Sequence, residues 1–490
     1  MSVKRYIAEF DTQISNAYKA DLTYTATGSN MGASDVLDIF HIYSQASASS
    51  HEYARDLFQF PVTDISTDRT NGDIPASGSV SFFLNLYNAE HSFSVPRQFT
   101  LAISPVTKYW DEGIGGGGLD TDNYNDSGYC NWEKASSGST GITAWSTKGG
   151  DFYSGLYFVG TTLPNYTAYF DKGYEDLSVD VTSLVEEWIV GSSANYGIIV
   201  MLTSSIESAV SSSYVKKFFA RGSEYYYKRP CIEARWDSSI KDRRGDFYNS
   251  SSMIPATDSA NTLYLYNYFR GQLKNIPPIA GGKIYVRMYN NASSGSALGI
   301  PCAALDTSPI TGGCVSTGIY SASISLNTTC SVVYDRWYGA GLTTCYHTGS
   351  EIVVRFNQSS DYNPNPKYTI SMPDLKDSYN NEEYPRLRVF VREKGWQPNV
   401  YTVVTTDPET QIIEDLYYQL KRVKDDYTVI NFGTGSLNHT RLSYDVSGSY
   451  FDFDMSLLES DYMYQWEFCK KKTDTTYEMM KEKFKFRVEE

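Results

Sequence analysis

Hydrophobic residues recur along this chain mostly with period two, in short runs broken by Gly, Ser, Asn and Pro. Such runs at Val36–Tyr43, 56–61, 80–87 and Phe99–Pro105 read as strands. One stretch departs from that rhythm. Val181, Leu184, Val185 and Trp188 stand at i, i+3, i+4 and i+7, the stripe of a helix of about two turns over 182–190. Ser183 and Glu186 have capping-box spacing, and Gly191 sits where a C′ glycine belongs. The continuous apolar run Ile198–Leu202 then predicts a strand covered on both faces. So short a helix is marginal alone, so Trp188 must plug a larger core, and the surrounding strands predict a β-sandwich.

The pattern continues in two further segments. Strands are expected at 262–268, Lys283–Tyr289, 319–326, 351–356 and 386–392. Near the C-terminus, 443–454 alternates through Tyr450, Phe451 and Phe453, and Leu457, Leu458, Asp461, Tyr462 and Tyr464 have the layout of a tyrosine corner. Runs at 463–469 and 484–488 predict a closing hairpin. The polar stretch 238–246 reads as a linker, and the Arg244-Gly245-Asp246 tripeptide within it is too short to imply adhesion. The expected fold is all-β: tandem sandwiches at 1–238 (jelly-roll-like), 239–393 and 394–490 (immunoglobulin-like), with one short helix.

With 490 residues the chain has room for several cores. Tyr is unusually frequent, 42 against 23 Phe and 8 Trp, and suits half-exposed sheet faces and contact surfaces. The net charge of −15 leaves no basic stripe for nucleic acid. No apolar run of about 18 residues predicts a spanning helix, and the first residues lack an apolar signal core, so membrane insertion is not expected and synthesis in a cytoplasm is. The seven cysteines include no close metal or redox pair, and reduced thiols are expected.

The order of motifs over the first 220 residues resembles the DNRLRE-type domain, a jelly-roll-like sandwich related to carbohydrate-binding modules. The resemblance rests on Asp11, Ile14, Asn30 and Gly32, then Arg55, Leu57, Phe58 and Phe60. Trp110, Glu112 and Gly113 form a W-x-E-G corner, followed by Trp132, Trp145, Gly149, Gly150 and Asp151. The segment Asp180, Val181, Thr182, Val185, Trp188, Gly191, Asn195, Tyr196 and Gly197 continues it, and Lys217, Phe218, Phe219, Arg221, Arg229 and Pro230 end it. The last hundred residues, including PRLRVFVREKGWQPNVYTV and LSYDVSGSYFDFDMSLLESDYMYQWEF, resemble virion structural proteins of tailed, particularly marine, bacteriophages. That resemblance implies a virion component placed in neck, collar, fibre or tail, with other virion proteins as partners and symmetric copies of itself on the particle.

Candidate chemistry is sparse. The five histidines have no paired-ligand spacing, and no nucleophile elbow or phosphate-binding glycine motif occurs, so no catalytic residue is assigned. The long glycine-rich loop at 107–134 is the expected contact element. Within it Asp120, Asp122, Asn125 and Asp126 offer oxygen ligands suited to calcium, without EF-hand spacing, and a solvated acidic loop is the simpler reading. Tyr109, Trp110, Trp132 and Trp145 are candidate platforms for a partner or glycan, with core the simpler reading for the tryptophans and a protein contact ahead of a glycan for any that are exposed. Of Tyr225, Tyr226 and Tyr227, at least one is expected to meet solvent or a partner. The expected function is therefore non-enzymatic virion assembly. A glycan-binding adhesin of host surface polysaccharide is the alternative, and a polysaccharide-degrading enzyme ranks third.

Overall fold

The structure is a computed structural model that describes the chain except residues 1, 91–95, 115–128, 139–140, 154–156, 159–160, 163–165, 211–212, 252, 254, 256–258, 278, 280–281, 292–307, 357–364, 396–409 and 474. It divides into two compact units, Ser2–Trp236 and Asp237–Glu490. Both are built from largely antiparallel sheets, the second with two parallel pairs, and the all-β expectation holds.

In the first unit a four-stranded sheet runs Val3–Ile7, Cys231–Arg235, Ser81–Leu86, Leu177–Asp180. Facing it, a seven-stranded sheet runs Tyr166–Phe170, Phe99–Pro105, Ile198–Leu202, His51–Gln59, Val36–Tyr43, Tyr214–Phe219, with Phe10–Ser15 also paired to His51–Gln59. Period-two alternation explains the layering. Ile198, Val200 and Leu202 point into the core between the sheets, where they meet Phe58, Leu84 and Trp188. Ile199 and Met201 point the other way, into a second and smaller core with Ile14, Leu57, Trp110, Trp132 and Trp145. The strand is therefore buried on both faces, as its unbroken apolar run predicts.

The helix Thr182–Val190 lies where expected and buries Leu184, Val185 and Trp188. Gly191 ends it at φ +78, a left-handed conformation that glycine adopts without strain. The expected capping box does not form. Asp180 accepts from the Thr182 backbone N–H instead, the Ser183 hydroxyl bonds the Tyr166 hydroxyl, and Glu186 takes a bidentate pair from Arg69 at 2.7 Å. Arg69 belongs to a second helix, Val62–Asn71, which the sequence pattern does not predict. Its composition is poor for a helix, and burial of Val62 and Ile65 together with the Arg69–Glu186 pair overrides that propensity.

The second unit holds two cores. In the first, an eight-stranded sheet runs Phe247–Tyr248, Ile352–Arg355, Val332–Tyr338, Lys283–Tyr289, Ile310–Ser316, Ile319–Ile324, Asn261–Tyr266, with Cys345–Thr348 on Val332–Tyr338. The Asn261 amide accepts from the Tyr248 N–H at 3.0 Å and donates to its carbonyl at 2.7 Å, so the first and last strands meet and the layer folds onto itself. Leu263, Ile284, Tyr320, Trp337 and Ile352 fill the interior.

The C-terminal core lies between the sheet Tyr368–Ser371, Arg386–Glu393, Gly448–Asp452, Ser443–Asp445 and the sheet Ser378–Asn380, Phe484–Glu489, Met463–Thr473, Leu416–Arg422, Thr428–Ile430. Tyr368–Ser371 and Arg386–Glu393 thus pack here, not with the middle segment where a boundary at 393 placed them. Strand patterning locates a strand but not its partner. Trp466 is the hub of this core, with ring centroids of Phe453, Phe451, Tyr418 and Phe486 at 4.9, 5.0, 5.5 and 5.5 Å. The Tyr464 hydroxyl donates to the Glu459 carbonyl at 2.9 Å, the reach-back bond of a tyrosine corner. The closing hairpin forms by pairing of Met463–Thr473 with Phe484–Glu489.

The segment expected as a linker is tied down. Arg244 grips Asp335 through two bonds of 2.6 and 2.8 Å, Asp246 pairs with Arg355, and Asp242 caps the turn at Arg243–Gly245. Arg244 is thereby committed to structure.

Trp188→Ala removes the side chain that plugs the first unit's core and is expected to cost about 3–5 kcal/mol, read as a lower midpoint of the first unit's urea transition.

Candidate functional site

Several residues of the first unit's motif pattern, among them Asp11, Asn30, Trp110, Glu112 and Arg221, meet at one corner. Glu112 accepts three bonds from the Arg221 guanidinium, at 3.0, 2.7 and 2.7 Å, and one from the Asp11 backbone N–H at 2.9 Å. Asp11 in turn accepts from the Arg221 backbone N–H. The Asn30 side-chain amide donates to the carbonyls of Glu112 and Cys130 at 2.7 and 2.8 Å. Space is as restrictive as charge: a Cβ on Gly32 would stand 2.2 Å from the Glu112 carbonyl oxygen, and one on Gly113 2.3 Å from Asn30 Oδ1. The Trp110 indole donates to the Tyr196 carbonyl at 2.8 Å. Four distant parts of the chain are locked together here.

The tryptophans lie beneath this corner. Trp110, Trp132 and Trp145 are all buried, and Trp145 donates to the Asn131 carbonyl at 2.8 Å. Arg55 lies over the Trp132 ring at 5.2 Å while pairing with Glu207 and donating to the Gly149 carbonyl. The core reading of these three residues holds and the platform reading is corrected: with Ile14, Leu57, Ile199 and Met201 they form a second core on the outer face of the large sheet, which leaves their rings no exposed face.

Tyr109 is different, being 57% exposed. With Phe10 at 41% and Ile114 at 74% it borders a groove of about 350 Å³, floored by Trp110 and flanked by Tyr129. Phe10 and Ile114 escape sequence reasoning because they lie more than a hundred residues apart; the W-x-E-G corner was the available signal. Tyr225 and Tyr226 are exposed and Tyr227 is half-buried, but 226–228 is a 3₁₀ turn rather than a strand, with Tyr226 and Tyr227 edge to face at 5.3 Å. They are not among the residues lining the groove. Asp120, Asp122, Asn125 and Asp126, the expected calcium ligands, lie outside the described residues.

Behind the corner sit buried acids. Burial raises the Asp11 carboxyl from 3.8 to about 7, with neighbouring Glu112 adding to the shift and the bond from Arg221 opposing it. Burial also holds the Asp56 carboxyl well above the ordinary range, with Asp38 and Asp11 adding repulsion, and neither of its oxygens has a partner among the described residues.

No family model and no curated protein matches the sequence. Among solved structures, the chain is similar to titin domains Z1Z2 in complex with telethonin, at 11% identity over 49% of this chain and 90% of that one, TM-score 0.14. It is also similar to E. coli alpha-2-macroglobulin in its native conformation, at 8% identity over 88% of this chain and 21% of that one, TM-score 0.16. Likenesses this weak carry no argument about function.

Between its unfolded value of 3.8 and about 7, Asp11 is protonated in the folded chain and ionised in the unfolded one. The folded state then binds more protons, so its stability falls as pH rises through that window. Urea midpoints for the first unit are expected to decline from about pH 4 to about pH 7, and Asp11→Asn is expected to flatten the decline.

Proposed function

We propose that this chain is a non-enzymatic structural component of a tailed-phage virion, working in the neck, collar, fibre or tail apparatus through protein–protein contacts. The observation that carries this reading is the exposed trio Phe10, Tyr109 and Ile114 around a groove on a corner held by the Glu112–Arg221 pair. Apolar side chains on a rigid backbone bury area against a partner with little ordering cost, which favours a contact role. The wording of the C-terminal hundred residues supports another virion protein as the occupant. Copies arranged symmetrically would let a groove of this size act through avidity. The two-sheet C-terminal core and its Tyr464 corner support the immunoglobulin-like reading of that module.

In gradient-purified particles from the source, the wild-type chain is expected by mass spectrometry in stoichiometric amounts. A Phe10→Ser/Ile114→Ser chain, supplied in place of the wild type, is expected to fold and to be depleted from particles by about tenfold or more, equivalent to about 1.4 kcal/mol. Undiminished incorporation of the double variant would contradict the role given to the groove.

A further inference from the structure

A second groove lies within Asp237–Glu490, and its lining has different chemistry. On the strand Asn261–Tyr266, Leu263 and Leu265 enter the core while Thr262, Tyr264 and Tyr266 point outward. Tyr268 extends the row. Ring centroids from Tyr264 to Tyr266 and from Tyr266 to Tyr268 are both 6.5 Å apart, with planes inclined by 27° and 17°. That spacing is about the repeat of two strand residues. On the adjacent strand Tyr264 stands opposite Ser321, whose side chain is too short to cover the ring, and Tyr266 stands opposite Ile319.

The three tyrosines border a groove of about 650 Å³ whose other walls include Asp242, Arg244, His347, Thr348 and Ser350. Those walls are preformed. Arg244 is fixed bidentately to Asp335, which also accepts from the Trp337 indole at 2.6 Å. A Cβ on Gly349 would stand 1.8 Å from Asp335 Oδ1, so the backbone of the Thr348–Ser350 wall is pressed against that pair. The Tyr266 hydroxyl is bonded to Tyr450, while Tyr268 is left 61% exposed.

We propose that this groove is a binding site for an uncharged glycan, with the Tyr264, Tyr266 and Tyr268 rings as stacking platforms. A sugar ring offers an apolar C–H face to an aromatic ring and a rim of hydroxyls to polar neighbours, the pairing that tyrosine faces flanked by Thr348, Ser350 and His347 provide. An apolar peptide would instead leave those polar groups desolvated and unpaired. Leu265, the aliphatic residue among those lining the groove, is buried and offers such a peptide little. Charge selects among glycans. The groove's arginine is already neutralised by Asp335, and the chain carries a net charge of −15, so an acidic polysaccharide finds no free guanidinium there and a repulsive field. The site is independent of the groove at Phe10 and Tyr109, and its success or failure leaves the assembly reading untouched.

The test is native affinity electrophoresis of the full chain through gels containing dextran, mannan or galactan, with alginate as an acidic comparison. Saturation-transfer NMR with maltohexaose and cellohexaose accompanies it. At least one neutral glycan is expected to retard the chain or receive saturation. Tyr268→Ala should weaken that binding by about tenfold, Thr348→Trp should block the groove to a similar degree, and Tyr268→Phe and Tyr109→Ala should retain it within about twofold. Tyr268 and Thr348 are exposed, so an unchanged thermal transition checks that the variants fold. The proposal is overturned if no neutral glycan interacts, if alginate alone does, or if binding survives both Tyr268→Ala and Thr348→Trp.

Discussion

The Glu112–Arg221 ion pair is the constraint on which the first unit's surface depends. Glu112 is on a loop between strands, Arg221 follows the strand Tyr214–Phe219, and Asp11 and Asn30 come from the start of the chain. A carboxylate accepting from the Nε–Nη2 edge of a guanidinium plus a backbone N–H is fixed in orientation as well as position. Once it is fixed, the Trp110 indole reaches the Tyr196 carbonyl, the tryptophan core closes beneath, and Tyr109 and Ile114 are left facing outward. The groove bordered by Phe10, Tyr109 and Ile114 is thus a by-product of a polar lock.

The second unit repeats this strategy with other residues. Asp335 has no exposed side-chain surface, yet it is satisfied by Arg244 and the Trp337 indole, which avoids the several kcal/mol that an unpaired buried charge costs. Because Arg244 comes from the segment that precedes the eight-stranded sheet, the same pair stitches that segment to the sheet and walls the tyrosine groove. Aromatic packing around Trp466 does for the C-terminal core what the ion pair does here.

Strands were the most legible feature of the sequence. Short apolar runs placed Val36–Tyr43, Phe99–Pro105 and Lys283–Tyr289 to the residue, and an unbroken apolar run placed Ile198–Leu202, since both are local properties of the chain. The helix Val62–Asn71 was not legible, because its stability resides in contacts with Trp188's helix and not in its own composition. Pairing was not legible either, which is why Arg386–Glu393 was grouped with the wrong core. At the candidate site several motif residues meet in one corner, where they build the support; the exposed groups Phe10 and Ile114 carry no local signal. Tryptophans near a loop could serve as platform or filling, and only the depth of the space beneath them decides for filling.

The molecule thus combines locked interiors with two grooves of different chemistry, one bordered by Phe10, Tyr109 and Ile114 and one aromatic with a hydroxyl-rich wall. The first is the proposed contact with another protein of an assembled particle. The most direct measurement is a cryo-electron-microscopy map of intact particles from the source, resolved to side chains. Symmetric copies of this chain, with Phe10, Tyr109 and Ile114 buried against a neighbouring protein, are the expected result of the virion proposal. Copies whose groove faces solvent throughout, or particles that lack the chain, would contradict it.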